Sequence, residues 1–206
     1  MIGRQAELES VTRRTVSRET VERLDAYEAL LREEATRQNL VAASTLETLW
    51  PRHILDSAQL VKFEPRVGAS WLDIGAGAGL PGIVLACLVE GPVTLAEPRR
   101  LRAEFLERVV DALKLNAAVV CAKAERIDGQ FEVITARAVA ALPKLLALSS
   151  HLSTRKTRYV LPKGRSGASE LAEAQRTWQG SFHVEPSVTD GDSVIILGTG
   201  VEAKKR

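Results

Sequence analysis

Cysteine is scarce in this chain: Cys87 and Cys121 are its only two in 206 residues. Neither belongs to a C-x-x-C pair, so a disulfide scaffold and a paired-cysteine zinc site are both excluded. Both sit among apolar neighbours and read as reduced core residues of a cytoplasmic protein. No apolar run approaches the length of a membrane span. The segment Met1–Arg14 is too polar and charged to serve as a secretion signal. The expectation is a cytoplasmic chain with no membrane partner. Internal repeats, low-complexity tracts and Pro/Gly/Ser-rich linkers are also missing. Residues 1–206 therefore read as one domain, a helical extension over 1–62 packed on a core over 63–206.

Acidic residues are missing locally rather than globally. The formal net charge is only +2, yet Val133 to Ser169 contains no Asp or Glu. That stretch carries Arg137, Lys144, Arg155, Lys156, Arg158, Lys163 and Arg165, and Lys204-Lys205-Arg206 ends the chain. Such a distribution suits a surface facing phosphates, or simply a solvated face.

What is present is periodic. Val21, Leu24, Leu31 and Ala35 recur on one helical face. Ser44 and Glu47 have capping-box spacing ahead of Leu46, Leu49, Trp50 and Ile54, with Pro51 starting or kinking that helix. From Ser70 the pattern changes. Short apolar strands are expected at Trp71–Ile74, Val93–Glu97, Ala117–Cys121, Phe131–Thr135 and Arg158–Leu161. Helices are expected over Ile83–Val89, Leu101–Leu113, Val139–Leu148 and Ser169–Trp178. Two final strands, Phe182–Val188 and Ser193–Leu197, flank an Asp190-Gly191 turn. Alternating strands and helices predict an α/β fold: a mostly parallel sheet with helices on both faces and an antiparallel C-terminal hairpin.

Asp73-Ile74-Gly75-Ala76-Gly77-Ala78-Gly79-Leu80-Pro81-Gly82 joins the first strand of this core to its first helix. Glycines there let the backbone turn sharply and approach a ligand, and ligands of such sheets bind beyond the carboxyl ends of the strands. Glu97 ends the second strand, about 20 residues on, where an acid commonly holds ribose hydroxyls. Together they predict an adenosine-containing ligand. Gly77-x-Gly79-x-x-Gly82 also fits the dinucleotide pattern, which leaves a nicotinamide-dependent oxidoreductase as the alternative. Asp73, two residues before the first glycine, instead matches the D-x-G-x-G-x-G pattern of class I methyltransferases.

Five segments in this order and spacing carry a closer resemblance: Asn39-Leu40-Val41, Arg52-His53-Ile54-Leu55-Asp56-Ser57, Asp73 to Gly82, Ala136-Arg137-Ala138 and Lys163-Gly164. From about Glu22 onward the chain resembles the ribosomal RNA small subunit methyltransferase G family. The resemblance implies a class I S-adenosylmethionine-dependent methyltransferase (Rossmann-like) fold. It also implies S-adenosyl-L-methionine as cofactor, 16S ribosomal RNA or the small ribosomal subunit as partner, N7 of a guanine as acceptor, and no metal; a monomer is expected separately. Position by position, Gly75, Gly77 and Leu80 correspond to the loop around the methionine part of the cofactor. Glu97 corresponds to the ribose ligand, Ala124 and Glu125 to the pair that reads adenine, and Arg137 to an arginine at the cofactor–substrate boundary. Asn39, Arg137, Lys163 and Arg165 are the candidates for RNA contact. The chain departs from the family at Leu101, where a lysine is common, and at Pro162, just before Lys163.

Guanine N7 carries no proton, so its lone pair needs no general base to attack a sulfonium methyl. No catalytic triad or metal constellation is visible in the sequence, and none is required. Catalysis would come from positioning and electrostatics, with Arg137 and Lys163 as positioning candidates that hold phosphate or guanine O6.

Overall fold

The computed structural model describes residues 3–42 and 45–205; the expected cap at Ser44 lies outside them. Two helices come first, α1 (Arg4–Thr12) and α2 (Arg18–Glu34). Ser17 caps α2 by accepting the Thr20 N–H at 3.1 Å. A π-helical turn (Trp50–Leu55), α3 (Asp56–Ala58) and a 3-10 turn (Gln59–Phe63) then run on into one another. Pro51 lies in the first turn of this segment, where a missing N–H costs least.

The core consists of β1 (Trp71–Ile74), α4 (Gly82–Leu88), β2 (Val93–Ala96), α5 (Arg100–Leu113), β3 (Ala117–Val120), β4 (Val133–Thr135), α6 (Leu142–Ser149), β5 (Arg158–Lys163), α7 (Gly167–Thr177), β6 (Trp178–Pro186) and β7 (Val194–Ala203). The seven strands form one sheet in the order β3-β2-β1-β4-β5-β7-β6. Strands β1 to β5 pair in parallel, and β7 is antiparallel to both β5 and β6. The order reverses between β1 and β4, which places a ligand crevice at their carboxyl ends.

Alternate residues of β1 face opposite sides. Trp71 joins a core with Ile83, Phe105, Leu106, Leu24, Tyr27 and Leu31, so α2 packs over α4 and α5, while α1 packs on α2 and on the segment over 50–63. Leu72 and Ile74 join a second core with Leu145, Leu146 and Leu171 under α6 and α7. Helix α4 is buried from Gly82 to Cys87, which explains its unbroken apolar run. Among the described residues no helix is long and apolar enough to cross a membrane.

Four local expectations are corrected. Residues 139–141 are not helical: α6 begins at Leu142, and Ala138 before it has φ +56°. Helix α7 stops at Thr177, so Trp178 opens β6. Strand β6 begins four residues before the expected Phe182 and passes Gly180 in a bulge between Gln179 and Ser181. Cys121, one position past β3, is exposed while Cys87 is buried.

Candidate functional site

The loop after β1 is held by backbone contacts and by two side chains from elsewhere. Gly75, Gly77 and Gly79 have φ of +68°, +57° and +99°, a region in which a Cβ is strained. The Ala76 N–H reaches the Ala96 carbonyl at 3.0 Å, tying the loop to the end of β2. Tyr27 of α2, fully buried, donates its hydroxyl to the Ala78 carbonyl at 2.8 Å. Asp73 accepts the Gly82 N–H at 2.8 Å and so fixes the start of α4. Burial pushes the Asp73 carboxyl up to about 7.

Glu97 lies one residue past β2 and is 3% exposed. Its Oε2 accepts the Gly77 N–H and its Oε1 the Arg99 N–H, each at 2.9 Å. Each carboxylate oxygen can accept twice, so both keep capacity for a hydroxyl ligand. A Cβ built on Gly77 would meet nothing nearer than 3.6 Å, whereas one on Gly75 would come within 2.6 Å of Val139 Cγ2. The strip beside Gly77 and Glu97 is thus an open cradle with an acceptor at its edge, which fits a ribose and its attached chain. Ala124 and Glu125 form a 3-10 turn beyond β3, Ala124 buried and Glu125 exposed. Leu80 is buried in the core under the loop.

Arg137, just past β4, lies on the same carboxyl edge. Its Nη1 lies 3.1 Å from His53 Nδ1 and 3.6 Å from Asp56 Oδ2. A guanidinium can only donate, so His53 Nδ1 accepts and the ring proton sits on Nε2, a buried atom without a partner among the described residues. Burial and the Arg137 charge bring the His53 pKa down to about 4, so the ring is neutral at pH 7.

Lys163 ends β5. The ladder to β7 continues through Pro162 to Lys163, so the proline leaves the register intact. The Lys163 Nζ donates to the Ala140 carbonyl and to Glu170 Oε2, both at 2.9 Å, and only 10% of its side chain is exposed. Burial pushes the Glu170 carboxyl up, but hydrogen bonds from Lys163, Ser166 and the Leu142 N–H outweigh it and hold it below the usual range. Lys163 therefore braces the loop over 136–141. Arg165 is exposed and paired with Asp192, its Nε at 3.0 Å. Asn39 is also exposed, and its carbonyl accepts from Arg102 Nη2 at 2.9 Å.

The sheet thus gathers Gly75, Gly77, Leu80 and Glu97 at the ends of β1 and β2. Arg137 and Lys163 line a neighbouring cavity of about 460 Å³. Arg165 and Asn39 stay outside that cavity. Sequence reasoning missed Tyr27, Arg102 and Gln59. Arg102 lies beside Gly77, 3.7 Å from where its Cβ would be, and Gln59 is completely buried. No local motif marks any of the three.

Over residues 20–193 the chain matches the family described as "rRNA small subunit methyltransferase G". A protein of Zymomonas mobilis named "Ribosomal RNA small subunit methyltransferase G" is 46% identical over 200 residues, covering 93% of this chain and 90% of its own. A protein of Erythrobacter litoralis with the same name is 49% identical over 183 residues, covering 87% and 88%. The fold is similar to that of a TehB-like SAM-dependent methyltransferase from Corynebacterium glutamicum, with a TM-score of 0.56, 16% identity and coverage of 85% and 97%. It is also similar to a mutant of MtNAS in complex with S-adenosylmethionine, with a TM-score of 0.59, 19% identity and coverage of 87% and 75%.

Proposed function

Because this chain belongs to the rRNA small subunit methyltransferase G family, we propose that it transfers a methyl group from S-adenosyl-L-methionine to N7 of a guanine in 16S ribosomal RNA. The same match sets aside the oxidoreductase alternative. The observation that carries the reading is adjacency. Val139 lies against Gly75 and also lines the Arg137–Lys163 cavity, so one side chain separates the cofactor loop from a space that can take an acceptor.

When bound, S-adenosyl-L-methionine supplies an electrophilic sulfonium methyl. Glu97 holds the ribose hydroxyls, the Gly75–Leu80 loop shapes the methionine part of the site, and Ala124 and Glu125 read the adenine. Arg137 orients the acceptor at the boundary. Its charge is moderated by Asp56 on one side, while neutral His53 adds none. That matters because attack by N7 places positive charge on the purine, and a dense cationic cluster at the ring would oppose it. The N7 edge is hidden in the deep groove of A-form RNA, so the target lies in an irregular or opened region. Arg165 and the exposed basic residues of the acid-free stretch supply phosphate attraction. The chain acts as a single domain and a monomer, in the cytoplasm.

Methyl transfer from labelled S-adenosylmethionine to small ribosomal subunits from a strain lacking this activity tests the reading. Label at one guanine N7 is the expected result. Intact cofactor binding with no label on subunits or naked RNA would overturn the ribosomal assignment.

A further inference from the structure

The cavity beside Arg137 has the volume of a small-molecule pocket, for which roughly 300–1,000 Å³ is usual. Besides Asp56 of α3 and Glu170 of α7, three segments wall it: the loop past β4, the end of β5 at Lys163, and the connection between β6 and β7, which contributes Ser187 and Ser193. The first two are continuous with the sheet. The third is a loop over residues 187–193 whose Val188 is 55% exposed, and its own turn is closed by the Ser193 N–H on the Asp190 carbonyl at 3.1 Å.

Apart from the exposed Arg165–Asp192 pair, what ties this loop down comes from the segment that precedes the core. Gln59 Nε2 lies 2.9 Å from Ser187 Oγ, 3.1 Å from Thr189 Oγ1 and 2.9 Å from Asp56 Oδ1. Gln59 Oε1 accepts the Val188 N–H at 3.0 Å. Thr189 donates its hydroxyl to Asp56 Oδ1 at 2.7 Å. The other oxygen of Asp56 faces Arg137. A single buried amide and a single carboxylate therefore connect the outer wall of the cavity to the arginine at its inner edge. Apolar packing would also hold a loop against a helix. A satisfied polar network additionally fixes direction and register, because each donor has one acceptor geometry to meet.

We propose that this cavity receives the target guanine and that Gln59 is a positioning residue for it, holding residues 187–189 and Arg137 in mutual register without touching the base. The proposal rests on the reading that the chain methylates ribosomal RNA. Gln59 belongs to the acceptor side by its side-chain hydrogen bonds, which run to Asp56 and the β6–β7 loop and not to Glu97 or the glycine loop.

The test compares Gln59→Met, which keeps volume but loses the network, with Thr189→Val, which removes one hydroxyl from the loop and leaves the buried amide in place. Cofactor Kd, melting temperature, and kcat and KM for methylation of small ribosomal subunits are measured on each folded protein. The expected result is a KM for subunits raised at least tenfold by Gln59→Met and several-fold by Thr189→Val, with cofactor Kd within twofold of wild type in both. Unchanged KM in both variants would overturn the proposal, as would cofactor affinity falling in step with KM. If wild-type protein binds cofactor and labels no subunit, the underlying reading fails and the proposal with it.

Discussion

The carboxyl edge of the sheet is built in two ways. Around β1 and β2 the contacts are those of the main chain. Glu97 receives two backbone N–H groups, Asp73 a third, and Tyr27 holds a carbonyl. Around β4, β5 and the hairpin the contacts are mostly between side chains: Arg137 with His53 and Asp56, Lys163 with Glu170, Gln59 with Asp56, Ser187 and Thr189. A surface made of main chain suits a ligand that never changes. One made of side chains suits a purine embedded in a folded RNA, whose surroundings must be matched by charge and shape. The two halves should therefore fail differently when altered.

The largest separation is expected at Arg137. A hydrogen bond to a charged group is worth about 1.5–3 kcal/mol, and Arg137, whose ion pair with Asp56 is a loose 3.6 Å, is the group proposed to give one to the acceptor. Arg137→Ala should lower kcat/KM for ribosomal subunits about a hundredfold while the protein still melts cooperatively. A loss confined to cofactor Kd would move Arg137 to the other half. Next comes Gly75→Ala. A residue with a side chain in the left-handed region costs about 1–2 kcal/mol, and here its Cβ would also press on Val139. Cofactor Kd, read by calorimetry, should weaken about 10- to 100-fold, and retained affinity would show that the loop tolerates another path. Tyr27→Phe is expected to be milder. It leaves the buried Ala78 carbonyl unpaired, at about 1–3 kcal/mol of stability, seen as a lower melting temperature with a few-fold weaker cofactor binding. An unchanged melting temperature would mean that α2 does not support the loop through this bond.

The smallest effect is a dependence on pH in which the halves oppose one another. Asp73 titrates at about 7 in the fold against 3.8 when free. Between those values the folded state holds a proton that the unfolded state has lost, and stability falls as pH rises. His53 titrates at about 4 against 6.5. Across that window the unfolded state holds the extra proton, and stability rises with pH. In the wild type these slopes largely cancel between pH 4 and 6.5. Relative to wild type, denaturant unfolding of Asp73→Asn should gain stability as pH rises through this window, and His53→Gln should lose it. Parallel curves for all three proteins would disprove the assignment of both groups.

The cofactor half was legible because its determinants are local. Gly75 to Gly82 follow directly on β1, and Glu97 sits at the end of the next strand, so strand–loop–helix spacing alone brings them together. The acceptor half was only partly legible. Arg137 and Lys163 stand out as basic residues after strands. Yet Lys163 turns inward to Ala140 and Glu170, and nothing in its neighbourhood signals a partner seven residues ahead in α7. Gln59 joins Ser187, Val188 and Thr189 across a separation of 128 to 130 residues, and a glutamine near the end of a helical segment resembles any surface residue.

The alternation of strands and helices, the glycine turn, the acid at the end of β2 and the family to which they belong can all be read along the chain. The first three follow from spacing within a few tens of residues, and the family from five segments spread between Asn39 and Gly164. Packing alone leaves residues 136–141 without helix beside Gly75, starts β6 at Trp178, and joins the last hairpin to Arg137 through Asp56 and Gln59. Those outcomes depend on which residues meet after the sheet has closed, and contacts between residues far apart in the chain leave no periodicity to read.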